Sequence, residues 1–290
     1  MKQFKWLALT VVAALFITAC SGGKSASDKV ELRLRPEQGK TYAVAMEVNS
    51  ESKVMGMTTN TVMNMEMSMT ADEVSDEQSI MSTTYDRMAM NMETPMGSMQ
   101  YDSDDTSGGS GMIGELMETV FDKLMEVNLT MTFNKFGEVV ESAGMEGLFE
   151  GMAGMENMGD QMNAADQMGA ATAVFPEDAV GVGDSWEKDI VNTANAPMVM
   201  KTTYTVEEIT DSEVKLKLMG DIATYEGEDA GAAAAQIDDV SGDFTGDLVV
   251  DRATGWTKSA NLTQNVQMKM TQQGMPLTVD AVNTITMTSK

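Results

Sequence analysis

Met63-Asn64-Met65-Glu66-Met67-Ser68-Met69 puts a methionine at every second position with polar residues between them. Successive side chains of an extended strand point to opposite faces, so this spacing yields one apolar and one wetted face and matches no helical face of period 3.6. The stretch reads as a half-buried β-strand. The same period recurs in both directions: Leu32 and Leu34 against Arg33 and Arg35, then Met88, Met90 and Met92. Further on come Val214, Leu216 and Leu218 against Lys215 and Lys217, then Val266, Met268 and Met270, and the run from Val279 to Met287. Turn formers stand between them, at Asn134-Lys135-Phe136-Gly137, Asp211-Ser212, Asp251 to Gly255 and Gln273-Gly274. The expectation is a mainly β chain of antiparallel hairpins.

Two stretches break the alternation. Residues 102–111 form a polar loop, and Met112 to Glu126 carries apolar residues at helical spacing (Ile113, Leu116, Met117, Val120, Leu124), which predicts one short amphipathic helix. Residues 144–176 mix methionine with glycine, alanine and aspartate and read as a partly helical linker, because the glycines at 151, 154 and 159 each cost a helix about 1 kcal/mol. On either side lie two similar series, 31–143 and 177–290. Gly39-Lys40-Thr41-Tyr42 begins one and Gly183-Asp184-Ser185-Trp186 the other. Each continues through a Thr- and Met-rich strand and an acidic turn, Ala71 to Glu77 or Glu207 to Glu213. We expect antiparallel sheets built from two pseudo-repeated halves, fused side by side and half-barrel-like.

Residues 1–19 have a basic start (Lys2, Lys5), an apolar run from Trp6 to Phe16 and small residues before Cys20: an export signal, followed by a flexible tether over 20–30. The run is too short to span a bilayer. Ile17-Thr18-Ala19-Cys20 resembles the lipobox of bacterial lipoproteins, which implies lipid on Cys20, the only cysteine in the chain. Ser21 after the cysteine implies, by the same resemblance, sorting to the outer membrane with the body facing the periplasm. The wider layout, with Phe175-Pro176 shortly before Val182-Gly183-Asp184-Ser185-Trp186, resembles an uncharacterised family of Gram-negative lipoproteins defined as a domain of unknown function. At the level of fold analogy, a lipidated antiparallel sheet is similar to the half-barrel carriers of lipids.

Composition excludes several function classes. The formal charge is -26, and losing Lys2 and Lys5 with residues 1–19 takes it to -28, so the body repels nucleic acid. The chain contains no histidine and, once Cys20 is lipidated, no thiol, which removes imidazole-dependent hydrolase dyads and His-type zinc sites. Ser-x-x-Lys at Ser21, Ser50 and Ser185 is a three-residue pattern of the kind chance supplies. The acids at Asp102, Asp104 and Asp105 lack the glycine and glutamate of a calcium loop, and Asp238, Asp239, Asp243 and Asp247 read as a solvated turn. No cofactor and no metal is expected.

Thirty-one methionines remain to be explained. Met-x-Met on a strand sets thioethers about 7 Å apart on one face, so Met55, Met57, Met63, Met65, Met67 and Met69 are candidates for Cu(I) or for an apolar ligand. The same alternation is what a buried sheet face requires, and methionine fills cores readily. The reading is a non-enzymatic envelope module that binds or scaffolds through a Met-lined sheet face. Its expected partners are the membrane, through Cys20, and an apolar ligand or a protein client. Cu(I) binding is the alternative, and a carboxylate-based hydrolase ranks below both.

Overall fold

Each alternating segment is an amphipathic ribbon with two unpaired backbone edges, and both needs are met at once by pairing it with its neighbours over a shared core. The computed structural model describes residues 29–105, 112–145, 172–192, 197–227, 237–272 and 274–290. The strands are β1 (Thr41–Val54), β2 (Met57–Val74), β3 (Gln78–Thr94), β4 (Gly97–Asp102), β5 (Asn128–Asn134) and β6 (Val139–Ala143). After them come β7 (Ser185–Asn192), β8 (Met198–Ile209), β9 (Glu213–Thr224), β10 (Ile237–Asp251), β11 (Thr257–Gln272) and β12 (Met275–Ser289). All twelve join one antiparallel sheet in the order β6-β5-β3-β2-β1-β12-β11-β10-β9-β8-β7, with β4 paired to β3 beside β5. The strands before residue 144 occupy one side and those after residue 176 the other. They meet in a single hydrogen-bonded seam, where β1 pairs β12 from Val44–Ser289 to Val54–Val279.

The one helix among the described residues, α1 (Met112–Met125), falls where the apolar spacing puts it. It buries Val120, Phe121 and Leu124, stacks Phe121 on Tyr101 of β4 (centroids 4.6 Å), and carries Lys123 in its last turn, where a cation complements the helix dipole. Burial and the nearby Asp122 push the Tyr101 phenol up to about 12, so it stays a neutral donor to that carboxylate. Of residues 144–176, read from sequence as a partly helical linker, 146–171 lie outside the described residues, as does the whole of 1–28.

Laid flat, eleven strands spaced about 4.8 Å apart would hold β6 and β7 roughly 48 Å from each other. Instead Lys188 of β7 reaches Glu138, in the β5–β6 turn, at 2.9 Å. The sheet is therefore strongly curled, with its inner face concave. Bulges at Glu66/Met67 and Ala71/Glu73 bend the β2–β3 pair, and in the other half Gly220 leaves room for the Phe244 ring opposite it. The described residues of β6 and β7 share no ladder, so the sheet does not close into a barrel.

Two extended segments fill the end where the sheet edges meet, here called the base. Leu32 and Leu34 are buried and alternate with Arg33 and Arg35, as the period requires, but they do not form a strand. Their backbone groups bond to several elements in turn: Val30 with Val180, Leu34 N–H to the Lys135 carbonyl, Arg35 N–H to the Thr254 carbonyl. Residues 172–176 run alongside. Phe175 N–H donates to the Phe136 carbonyl, and Trp186 Nε1 donates to the Val174 carbonyl at 2.8 Å. The Arg33 guanidinium ties the two together, donating to the Pro176 and Glu177 carbonyls while lying 4.9 Å over Phe136. Gly137 and Gly255, in the base turns, are both at positive φ, and a Cβ on either would fall about 2.4 Å from a carbonyl of this plug, that of Ala173 or Arg33. The base is packed: the void among Leu34, Phe133, Trp256 and Met287 is about 20 Å³, room for one water.

Candidate functional site

Antiparallel register fixes which side chains share a face, because directly opposed residues point the same way. Met65, Met67 and Met69 lie on the inner face and are buried, while Met63, one step further from the base, is half-buried. Met55 and Met57 do not join them. Met55 lies in the β1–β2 turn and Met57 just after it, 75% and 53% exposed, with Met57 six residues, about 20 Å, along β2 from Met63. The six methionines thus fall into two groups: an inner row and an exposed tip. Cys20 lies outside the described residues.

Other strands extend the inner row. Opposite Met65 stand Met46 on β1 and Met88 on β3, and opposite Met46 stands Met287 on β12, so four methionines cross four adjacent strands in one row. All four are buried at 3–7% exposure, which makes them core. The next row outward is Met90, Met63, Val48, Ile285 and Leu262, continuing to Tyr204 and Trp186 with rings stacked at 5.3 Å.

Beyond it the character changes. Thr61, Ser50, Asn283 and Gln264 oppose one another across β2, β1, β12 and β11. The same register continues through Phe244 and Gly220 to Thr202 and Lys188. This is a belt of neutral hydrogen-bonding groups, interrupted at Phe244 and Gly220, and its one cation, Lys188, is paired with Glu138. The Gln264 amide nitrogen faces the Met200 sulfur at 3.9 Å, a weak acceptor for a buried donor. Above the belt the apolar character returns on β12, β11, β8 and β7, where Ala281 stands opposite Val266 and where Val266, Met268, Ile190 and Met198 are half-buried and pack against the core, while Ser52 and Thr59 keep the face polar on β1 and β2. None of these rows was legible as a unit in the sequence, since register between distant strands creates them. The signal was there in part, in the alternation of Val266, Met268 and Met270.

The outer face differs. It carries Glu47, Glu51, Lys53, Glu66, Asp243 and Asp247 among threonines and asparagines, with cross-strand pairs Lys217–Asp247 and Lys269–Asp239 at 2.9 Å. A barrel facing lipid needs an apolar outer band, so this face is built for water. Among the described residues no cluster of three acidic, histidine or cysteine side chains could hold a metal ion, and no helix is long and apolar enough to cross a membrane.

No curated protein matches the chain. A solved structure described as lipid–protein interactions in lipovitellin superposes with a TM-score of 0.48 at 10% identity, covering 86% of this chain and 25% of that one. The chain thus spans about a quarter of that protein. An outer membrane channel from Pseudomonas putida F1 gives 0.26 at 7% identity, covering 88% of this chain and 97% of that one. Likenesses this loose carry no functional argument. The family match does carry weight: residues 76–257, from the β2–β3 turn to the first residue of β11, fit one family model, and the chain belongs to DUF6263, a family of unknown function.

Proposed function

We propose that this chain is an envelope lipoprotein, held to the outer membrane by lipid on Cys20 with its body in the periplasm. In this reading its inner face binds an apolar or amphiphilic molecule without chemical turnover. The observation that carries the ligand is the belt of Thr61, Ser50, Asn283 and Gln264 on a concave face, with an apolar zone on its base side and a second one above it along β12 and β11. Binding surfaces for small molecules combine mostly apolar walls with a few placed polar groups, and this face has that composition. Hydroxyls and amides without an unpaired charge suit an ester or amide head, with acyl chain along Val48, Met63, Ile285 and Val266. Methionine side chains adapt to varied apolar shapes, and the exposed segment of a client protein would suit them equally.

Native mass spectrometry of the delipidated body from its own envelope, with and without Cu(I) under reducing conditions, tests this. A co-purified acyl mass that disappears in Ile285→Lys supports the reading. Stoichiometric copper would transfer the role to the thioethers. A bare mass in both conditions would leave a protein partner or a structural role.

A further inference from the structure

Five of the large apolar side chains exposed among the described residues are methionines, and four of them sit at hairpin tips: Met55 and Met57 on β1–β2, Met96 on β3–β4 and Met275 on β11–β12. Met96 is 96% exposed. These hairpins are consecutive along the sheet, β4-β3-β2-β1-β12-β11, and all point away from the base, so their tips follow one arc at intervals of about 10 Å. Register staggers them progressively. Glu93, two residues before Pro95, opposes Asn60, whereas Val54, next to the β1–β2 turn, opposes Val279, four residues inside Met275. Strands tilted by roughly 35–45° in a curled sheet need a stagger of that kind if their tips are to reach a common level.

Two further features set these three tips apart. Met55 has φ 51°, a left-handed backbone that side chains with a Cβ rarely adopt and that asparagine or glycine fills in most turns of this type. A strained exposed methionine there points to a use for its side chain. In a chain of net charge -26, the segments Val54–Thr58, Thr94–Ser98 and Thr271–Leu277 hold no charged residue, whereas base turns carry Asp76 and Glu77, Asp211, and Asp251 and Arg252, and the β9–β10 connection carries Glu226.

We propose that the three methionine tips dock this end of the protein onto a lipid surface, inserting among the headgroups of a zwitterionic membrane. Separate apolar points along an arc suit a fluid surface that flows between them, whereas a protein partner would need a contiguous, complementary patch. The acidic body keeps anionic lipid at a distance and makes the uncharged tips the part that can approach. This contact is independent of the anchor on Cys20 and of any ligand on the inner face.

The test is flotation of residues 20–290 carrying Cys20→Ser, so that no lipid can be attached there, with phosphatidylcholine vesicles. We expect the chain to float, 1 M salt to leave binding unchanged, and Met55→Ser/Met57→Ser/Met96→Ser/Met275→Ser to lower the partition coefficient more than tenfold with an unchanged circular dichroism spectrum. As a second measurement, Met96→Trp should add a blue-shifted emission component when vesicles are present. Failure of the parent chain to float, equal flotation of the serine variant, or unshifted Met96→Trp emission would each overturn the proposal. So would tip-dependent self-association in sedimentation, or tip-dependent capture of a protein without vesicle binding.

Discussion

Lys188 and Glu138 stand fifty positions apart in sequence and near opposite edges of the sheet, and their side chains meet at 2.9 Å. Burial alone would raise the Glu138 carboxyl, but hydrogen bonds from Lys188 and Asn134 outweigh it and hold it below the usual carboxylate range. The contact is the charged part of a clasp, with Phe136 under the cations of Arg33, Lys135 and Lys188.

A depressed carboxylate contributes stability that is present above its unfolded value, about 4.3, and is lost as the pH falls through the lower folded value. Both side chains are partly solvated, 28% and 41%, so the contribution is screened. Glu138→Gln should cost about 0.5 kcal/mol at pH 7 in urea denaturation, with the deficit shrinking between pH 5 and pH 3. A deficit that stays constant with pH would show that the pair is uncoupled.

Gly137→Ala and Gly255→Ala each combine a left-handed backbone with a collision against a plug carbonyl, and each should cost more than about 2 kcal/mol. Gly39 is also at positive φ, with open space where a Cβ would go, so Gly39→Ala should cost only about 1 kcal/mol. Equal losses at the three sites would mean that the plug is not packed as described.

Met69 and Met81 are fully buried, and truncating either to alanine should cost about 2–5 kcal/mol. Met65→Leu preserves volume and should cost less than about 1.5 kcal/mol. If leucine at Met65 instead removed a metal-dependent shift in melting temperature, the methionine row would be a ligand set and not a core.

Cys20→Ala should leave the chain soluble or uncut, and absent from the detergent-extracted, lipid-labelled fraction in a palmitate-labelling experiment. Retention of the label would place the lipid elsewhere.

Strands were legible because period two is a local property: Met63 to Met69, Val214 to Leu218 and Val279 to Met287 all lie in strands, and α1 occupies Met112–Met125. The plug was not, because Leu32 and Leu34 alternate as a strand does, and only the positions of Lys135 and Thr254 decide that the amides of Leu34 and Arg35 bond to turns. Met55 and Met57 carry the same side chain as Met63, yet their place at the β1–β2 turn leaves them exposed where Met63 is half-buried. Gly56 marks that turn in the sequence and was the available signal. The polar belt depends on pairing between β1 and β12, which no local pattern encodes.

That seam has a kinetic consequence. Val44 waits for Ser289, nearly the whole sequence away, so the edge of β1 has no partner until the twelfth strand has been delivered. Contacts of such high order form slowly, and an unpaired β1 edge is an invitation to aggregate in the interval. Each half can zip its own hairpins early, but the sheet becomes one object only at the last step. Folding speed should therefore respond to changes at Val48 and Ile285 far more than to equally destabilising changes at the outlying β5 or β8, and a holding chaperone would find its target in that exposed edge.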